Sequence, residues 1–123
     1  MPDNPLLERM RKQGHDRLLI GGEWRDASDG AEIKVFDPAT GEPVATVPSG
    51  SADDAVAAVD AASEAAGGWA ATPPRERAEI LRRAFELMTE RTDELASLIV
   101  LEMGKTFAES KGEIRYAAEF YRW

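Results

Sequence analysis

Few side chains in this sequence could carry out covalent or acid–base chemistry. The 123 residues contain no cysteine and one histidine, His15. A thiol nucleophile and a thiolate metal site are therefore excluded within this chain. His15 lies close to the N-terminus, before the first predicted strand, where a single histidine makes a poor general base and a poor metal site. The residues themselves therefore predict no catalytic residue.

The run Met103-Gly104-Lys105-Thr106 resembles the end of a phosphate-binding loop. Such a loop needs another glycine five residues before Gly104, and Ile99 stands at that position, so the match fails. The glycine doublets Gly21-Gly22 and Gly67-Gly68 are isolated, and they predict a bend and a helix end. No residue is therefore assigned to cofactor binding.

Glu102 falls in the last turn of a predicted helix, where the helix dipole disfavours a negative charge. Two explanations stay open for this carboxylate. It forms an ion pair with Lys105, or it contributes to a cation site.

Charge and hydropathy limit the partners that this chain can have. It holds 23 acidic and 15 basic residues, for a net charge of -8. Nucleic acid and anionic membrane surfaces are poor partners for such a chain, and no apolar run approaches the roughly 18 residues of a membrane span. Residues 1–16 lack the apolar core of a secretory signal, so we expect a mobile leader or a turn of surface helix there, in a cytoplasmic protein.

The strand signals come first along the chain. Leu18–Ile20 leads through the bend at Gly21-Gly22 into Glu23–Arg25, and residues 31–36 alternate between apolar and charged side chains. Asp37–Gly41 supplies turn residues, and residues 43–47 return as the partner strand. The pattern predicts a small antiparallel hairpin or meander.

About four helices are predicted after the strands. The first begins after Ser51, with Asp54 at capping distance, and ends at Gly67-Gly68. Its apolar face is predicted to comprise Ala55, Val56, Val59, Ala62 and Ala66. The second helix begins at the cap Thr72 followed by Pro73, the third runs from Thr92 to Met103 with Gly104 as its stop, and the fourth begins with a capping box of Thr106 and Glu109. The fold class is therefore α+β.

The fourth helix reaches the end of the sequence without a stop signal. Its predicted apolar face comprises Phe107, Ile114, Ala117, Ala118 and Tyr121, with Phe120 and Trp123 beside it. If the chain is a piece of a larger protein, we expect this face to lack its cover. Residues 106–123 would then self-associate or be partly disordered.

Four sequence runs, in this order, resemble the N-terminal part of the aldehyde dehydrogenase superfamily. They are Leu19-Ile20-Gly21-Gly22-Glu23-Trp24, Asp37-Pro38-Ala39-Thr40-Gly41-Glu42, Leu101-Glu102-Met103-Gly104-Lys105, and Gly112-Glu113-Ile114-Arg115-Tyr116-Ala117-Ala118. These runs are most similar to the succinate-semialdehyde dehydrogenase branch, although Thr106 replaces the proline usual there. The resemblance implies that residues 17–123 form an incomplete, outer N-terminal portion of the nucleotide-binding domain.

Members of this family oxidise aldehydes with NAD or NADP, using a cysteine, a glutamate base, an asparagine and a lysine that all lie after this segment. The resemblance therefore implies a chain that is inactive alone and binds neither cofactor tightly. Its expected partner is the remainder of the dehydrogenase or a second copy. Some relatives hold a monovalent cation through the residue matching Glu102 and a carbonyl group matching Val35 or Phe36.

Two other interpretations stay open beside the dehydrogenase fragment. One is a non-catalytic α+β interaction module, which would have a sealed surface and a cooperative thermal transition. The other is an acidic scaffold that pairs with a protein supplying the missing parts.

Overall fold

The computed structural model describes residues 4–123, which form five helices and four strands. In chain order these elements are α1 (Pro5–Lys12), β1 (Leu18–Ile20), β2 (Glu23–Arg25), β3 (Glu32–Phe36), β4 (Pro43–Pro48), α2 (Ala52–Ala71), α3 (Pro74–Glu90), α4 (Thr92–Met103) and α5 (Phe107–Arg122). The predicted α+β class is confirmed, with one helix and one hairpin more than the sequence indicated.

The additional helix, α1, lies inside the predicted leader 1–16. Asn4 caps it by accepting the N–H of Leu6 at 2.9 Å, and Pro5 occupies the first helical position. Both are standard features of a helix start. The mobility of residues 1–16 stays a prediction.

The four strands form two separate antiparallel hairpins. β1 pairs with β2 across Gly21 and Gly22, whose φ angles of 62° and 84° are those that a tight two-residue turn requires. β3 pairs with β4, and the register shifts between Val35 and Phe36. The predicted bend at the glycine doublet is thus a true hairpin turn.

The chain divides into two units. The first extends to Phe36 and includes Glu42–Ala70, and the second comprises Asp37–Gly41 and Ala71–Trp123. Within the second, Asp37 shapes the predicted turn by accepting the Ala39 N–H at 2.8 Å and the Thr40 hydroxyl at 3.1 Å. This side-chain bonding explains the preference for aspartate at the start of such a turn.

The orientation predicted for α2 is wrong. Val56 and Val59 are exposed, whereas Asp54 is buried and Ala57 and Ala61 are half-buried. Asp54 accepts backbone N–H groups from Ser28, and this bonding turns its side of the helix inward. Because α2 is rich in alanine, the distribution of apolar residues alone does not show which side of the helix is buried.

Both boundaries between α2 and α3 also differ from the prediction. Gly67 and Gly68 lie inside α2, which continues to Ala71. Pro73, in extended backbone with ψ 139°, takes the N-cap position predicted for Thr72. Proline disfavours helical backbone in the residue before it, so the Pro73-Pro74 pair separates the helices more firmly than the glycines do.

The core of the second unit lies where α5 packs against α3 and α4. Its most buried side chains are small: Ala96 and Ser110 are 0% exposed, Ala118 is 2% exposed, and Ile114 is also buried. The predicted bounds of α4 are confirmed, although Met103, expected on its buried face, is exposed. Small side chains at these positions allow the helix backbones to approach closely.

We expect Ala96→Leu to destabilise the chain by about 1–3 kcal/mol, because no space is left for the added carbons. Ala108→Leu, at an exposed position of α5, is the matched control and should have little effect. Urea unfolding followed by circular dichroism measures both. Equal effects of the two substitutions would contradict the close packing at Ala96.

Candidate functional site

The junction between α4 and α5 contains the residues that the sequence singled out for possible chemistry. α4 ends at Gly104, which has φ 69° and donates its N–H to the Val100 carbonyl at 2.9 Å. A methyl group at Gly104 would lie 3.0 Å from Cγ of Pro38. Both the left-handed backbone and the close approach favour glycine there.

Thr106 starts α5 with the predicted capping box. Its hydroxyl accepts the Glu109 N–H at 3.3 Å, and the Glu109 carboxylate accepts the Thr106 N–H at 3.3 Å and its hydroxyl at 2.8 Å. These hydrogen bonds hold the pKa of Glu109 below its ordinary value. The hydroxyl and the helix start are thus occupied by local bonding rather than directed toward a phosphate.

Lys105 forms an ion pair with Glu113 of α5. The sequence left open an ion pair between Lys105 and Glu102, and the structure assigns this lysine a different partner. Glu102 itself is exposed on the last turn of α4. An exposed carboxylate is solvated by water and needs no cation, so the cation hypothesis for Glu102 stays a prediction.

The carbonyl groups proposed for that cation come from Val35 and Phe36. Both residues lie at the register shift of β3, in the first unit, whereas Glu102 belongs to the second. Among residues 4–123, no group of three or more histidine, aspartate or glutamate side chains is placed to hold a metal ion. That statement concerns side chains and does not cover backbone carbonyl groups such as those of Val35 and Phe36.

A surface groove of about 440 Å³ opens beside the junction. It is lined by Lys105, Glu109, Gly112, Glu113 and Tyr116. Lys105 pairs with Glu113, and the Glu109 carboxylate accepts hydrogen bonds from Thr106, so the lining carries one net negative charge. Its lining contains no thiol.

His15 lies against Trp24, with ring centroids 5.0 Å apart and planes tilted by 38°. This ring contact connects the segment after α1 to β2. It gives the histidine a packing role.

The most extensive polar cluster in the first unit surrounds Asp54, and the sequence indicated only part of it. The predicted bonding with Ser51 is present: the Asp54 N–H donates to the Ser51 hydroxyl at 3.2 Å, and the Ser51 N–H donates to the Asp54 carboxylate at 2.9 Å. The carboxylate also accepts the Ser28 N–H, at 3.1 Å and 3.2 Å to its two oxygens. Ser28 lies 26 residues away along the chain, so no local pattern could reveal this contact.

The donors around Asp54 stabilise its charged form. Hydrogen bonds from the Ser51 and Ser28 backbone lower the pKa of this carboxyl from 3.8 to about 2. Asp54 is only 6% exposed. Its hydrogen bonds join the loop at Ser28 to the start of α2.

Comparison with known proteins assigns the family. The aldehyde dehydrogenase family model matches residues 24–123, so the chain belongs to that family. It is 51% identical, over 107 residues, to the NADP(+) succinate-semialdehyde dehydrogenase of Escherichia coli K12, covering 87% of this chain and 22% of that protein. The glutarate-semialdehyde dehydrogenase of Pseudomonas putida KT2440 is 50% identical over the same coverage. The chain thus spans about a fifth of the length of the curated relatives it matches.

Solved structures give the same answer for the fold. An E. coli NADP-dependent enzyme matches with a TM-score of 0.86 and 50% identity, over 88% of this chain and 22% of that one. Succinate-semialdehyde dehydrogenase from Burkholderia pseudomallei matches with a TM-score of 0.84 and 48% identity, over 87% and 22%. The fold and branch implied by the four sequence runs are confirmed.

Within residues 4–123 no helix is both long and apolar enough to cross a bilayer.

We expect Asp54→Asn to lower the melting temperature above pH 4 more than Asp53→Asn does. Asp53 is an exposed acid in the same helical turn and serves as the control. A lowered pKa contributes stability above the unfolded-state value, and this contribution disappears as the pH falls from about 4 toward 2. The difference between wild type and Asp54→Asn should therefore shrink over that range. A difference independent of pH would contradict the bonding at Asp54.

Gly104→Ala should destabilise the chain by about 1–2 kcal/mol through its left-handed backbone alone, and the Pro38 contact adds to this cost. Gly67→Ala tests the opposite case, because Gly67 lies within α2 with open space around it. That substitution should stabilise by about 0.5–1 kcal/mol. Denaturant melts of both variants should shift in opposite directions, and a shared direction would count against the turn geometry at Gly104.

Proposed function

We propose that this chain is the N-terminal part of an NAD(P)-dependent aldehyde dehydrogenase that oxidises a semialdehyde to the dicarboxylic acid, with succinic semialdehyde the first candidate. The main support is the 51% identity to a succinate-semialdehyde dehydrogenase, together with the TM-score of 0.86. The matches to glutarate-semialdehyde dehydrogenases support the wider class, because their named substrate differs by one methylene group.

The reaction requires groups that this chain does not supply. Aldehyde, water and the oxidised cofactor give the acid, the reduced cofactor and a proton, and the family route begins with addition of a thiol to the aldehyde carbon. The chain contains no cysteine. Its proposed contribution is therefore to the folded framework of the dehydrogenase, and we propose that it is inactive alone.

The hydrogen bonding at the helix starts supports the proposal that this chain alone binds NAD or NADP weakly. A dinucleotide pyrophosphate binds where helix N-terminal N–H groups are available and the local charge is positive. At the starts of α2 and α5 the carboxylates of Asp54 and Glu109 already accept backbone N–H groups. Negative charge at these positions opposes a phosphate, so NAD or NADP binding is proposed to depend on the remainder of the dehydrogenase.

The proposal also includes a cation site, a localisation and an N-terminal leader. A monovalent cation bound by Glu102 with a carbonyl group of Val35 or Phe36 is proposed for the longer protein. Cytoplasmic localisation and the leader over residues 1–16 are proposed from the sequence.

The test compares two proteins. The first is the chain itself, assayed at high concentration for NADP reduction with succinic semialdehyde; its rate should equal that of a blank without protein. The second is a chimera in which this chain replaces the matched 107-residue segment of the E. coli relative. The chimera should oxidise succinic semialdehyde.

Circular dichroism and gel filtration first establish that the chimera is folded. Turnover by the isolated chain would contradict its proposed inactivity. A folded chimera that binds NADP but oxidises neither succinic nor glutaric semialdehyde would refute the proposed substrate class and favour a non-catalytic module.

A further inference from the structure

The loop between β2 and β3 carries the only aspartate of the sequence that is followed by glycine, at Asp29-Gly30. Ser28, Asp29, Gly30 and Ala31 are all exposed, so water reaches both the Asp29 side chain and the peptide bond after it. A main-chain nitrogen can attack the carboxyl carbon of the aspartate before it, and glycine hinders this attack least because it has no Cβ. The pair therefore combines a carboxyl carbon, a neighbouring nitrogen and access to water.

The reaction of such a pair is an isomerisation. The Gly30 nitrogen forms a bond to Cγ of Asp29, its proton and the hydroxyl of the protonated carboxyl leave as water, and a five-membered imide results. Water then opens this ring at one of its two carbonyl carbons. Opening at Cγ restores aspartate, whereas opening at the main-chain carbonyl carbon leaves isoaspartate, in which the chain runs through Cγ. One water leaves and one returns, so no oxidant, reductant or cofactor takes part.

The turn at Asp37 provides an internal comparison. The Asp29 carboxylate accepts the Ala31 N–H at 2.9 Å, and the Asp37 carboxylate accepts the Ala39 N–H at 2.8 Å. Both aspartates thus bond to the N–H two residues ahead. Asp37 is followed by Pro38, however, and proline has no N–H to lose. The same side-chain bonding with and without the reactive N–H predicts isomerisation at Asp29 and none at Asp37.

The folded turn opposes the reaction at Asp29. The Gly30 N–H donates to the Ala27 carbonyl at 2.9 Å, and Ala27 is only 6% exposed. Because the nitrogen must lose its proton before it attacks, this hydrogen bond makes it a poorer nucleophile. Ring closure therefore requires the turn to open.

Asp54 fixes a residue within that turn. Its carboxylate accepts the Ser28 N–H at 3.1 Å and 3.2 Å, and the Ser28 hydroxyl lies 2.9 Å from the hydroxyl of Ser51. Ser28 directly follows Ala27, whose carbonyl holds the Gly30 N–H. Releasing Ser28 would therefore free the turn to open locally.

We propose that Asp29-Gly30 is a site of spontaneous isoaspartate formation, and that the Asp54 carboxylate controls its rate by keeping the turn closed. This chemistry needs no aldehyde and no cofactor. The inference is therefore independent of the proposed dehydrogenase activity.

The experiment incubates the full chain at neutral pH and measures isoaspartate residue by residue. Digestion and mass spectrometry locate it, because the imide is one water lighter and isoaspartate accepts a methyl group from protein isoaspartyl methyltransferase. A synthetic peptide of residues 24–36 gives the rate without the folded turn. Isoaspartate should form at Asp29 in both, and at least about tenfold more slowly in the chain, because only the open turn reacts.

Two alanine variants test the role of Asp54. Asp54→Ala should raise the rate at Asp29 by about fivefold or more, since it removes hydrogen bonds to a charged group. Asp53→Ala, at an exposed acid in the same helical turn, is the matched control and should leave the rate unchanged. Alanine is used at both positions because an asparagine could itself form isoaspartate. Asp29→Glu should abolish the signal, since the longer side chain would have to close a six-membered ring.

The outcomes test the site and its control separately. Absence of isoaspartate at Asp29 from both the wild-type chain and Asp54→Ala would overturn the site. A chain that reacts as fast as the peptide, or a folded Asp54→Ala variant with the wild-type rate, would overturn the control by Asp54. Circular dichroism shows whether Asp54→Ala is folded, and if it is not, the comparison of chain with peptide decides.

Discussion

Close approach of α5 to its neighbours is the constraint on which the second unit depends. The side chains at its centre are those of Ala96, Ser110 and Ala118, which are too small to hold the helices apart. Such packing tolerates little rotation of α5, because larger residues on either side would enter the contact. The Thr106–Glu109 capping box sets where the helix begins, and the packing then sets which side faces outward. The exposure of Tyr116 and Phe120 is a consequence of both.

The same chemical device stabilises the starts of α2 and α5. In each case a hydroxyl and a carboxylate three residues later bond to the backbone N–H groups that a helix leaves unpaired. At Asp54 the carboxylate reaches further and also joins the Ser28 loop to the helix. These acids therefore stabilise the fold at the positions where a nucleotide-binding chain would present available N–H groups. The hydrogen bonds of Asp54 and Glu109 thus stabilise the fold.

Local chemistry made most of the architecture predictable. The Asp37 turn, the capping boxes and the bounds of α4 depend on residues within a few positions of one another, and the structure confirms them. The failures involve distant contacts. The Ser28–Asp54 bonds determine which side of α2 is buried, and the packing of α5 on α3 and α4 determines which aromatics remain exposed. The proposed cation ligands were chosen from sequence resemblance alone. Residue spacing cannot show whether a strand carbonyl lies beside Glu102.

Membership of the aldehyde dehydrogenase family is compatible with the absence of cysteine because a long enzyme distributes its tasks along the chain. The family model matches residues 24–123, and the features described in that range are turns, helix caps and helix contacts. α5 leaves the large side chains of Tyr116 and Phe120 exposed, at 66% and 67%. A partner that covered these rings would gain stability together with this segment, since each would remove apolar area of the other from water. The stability of such a segment would then be linked to that of whatever covers it.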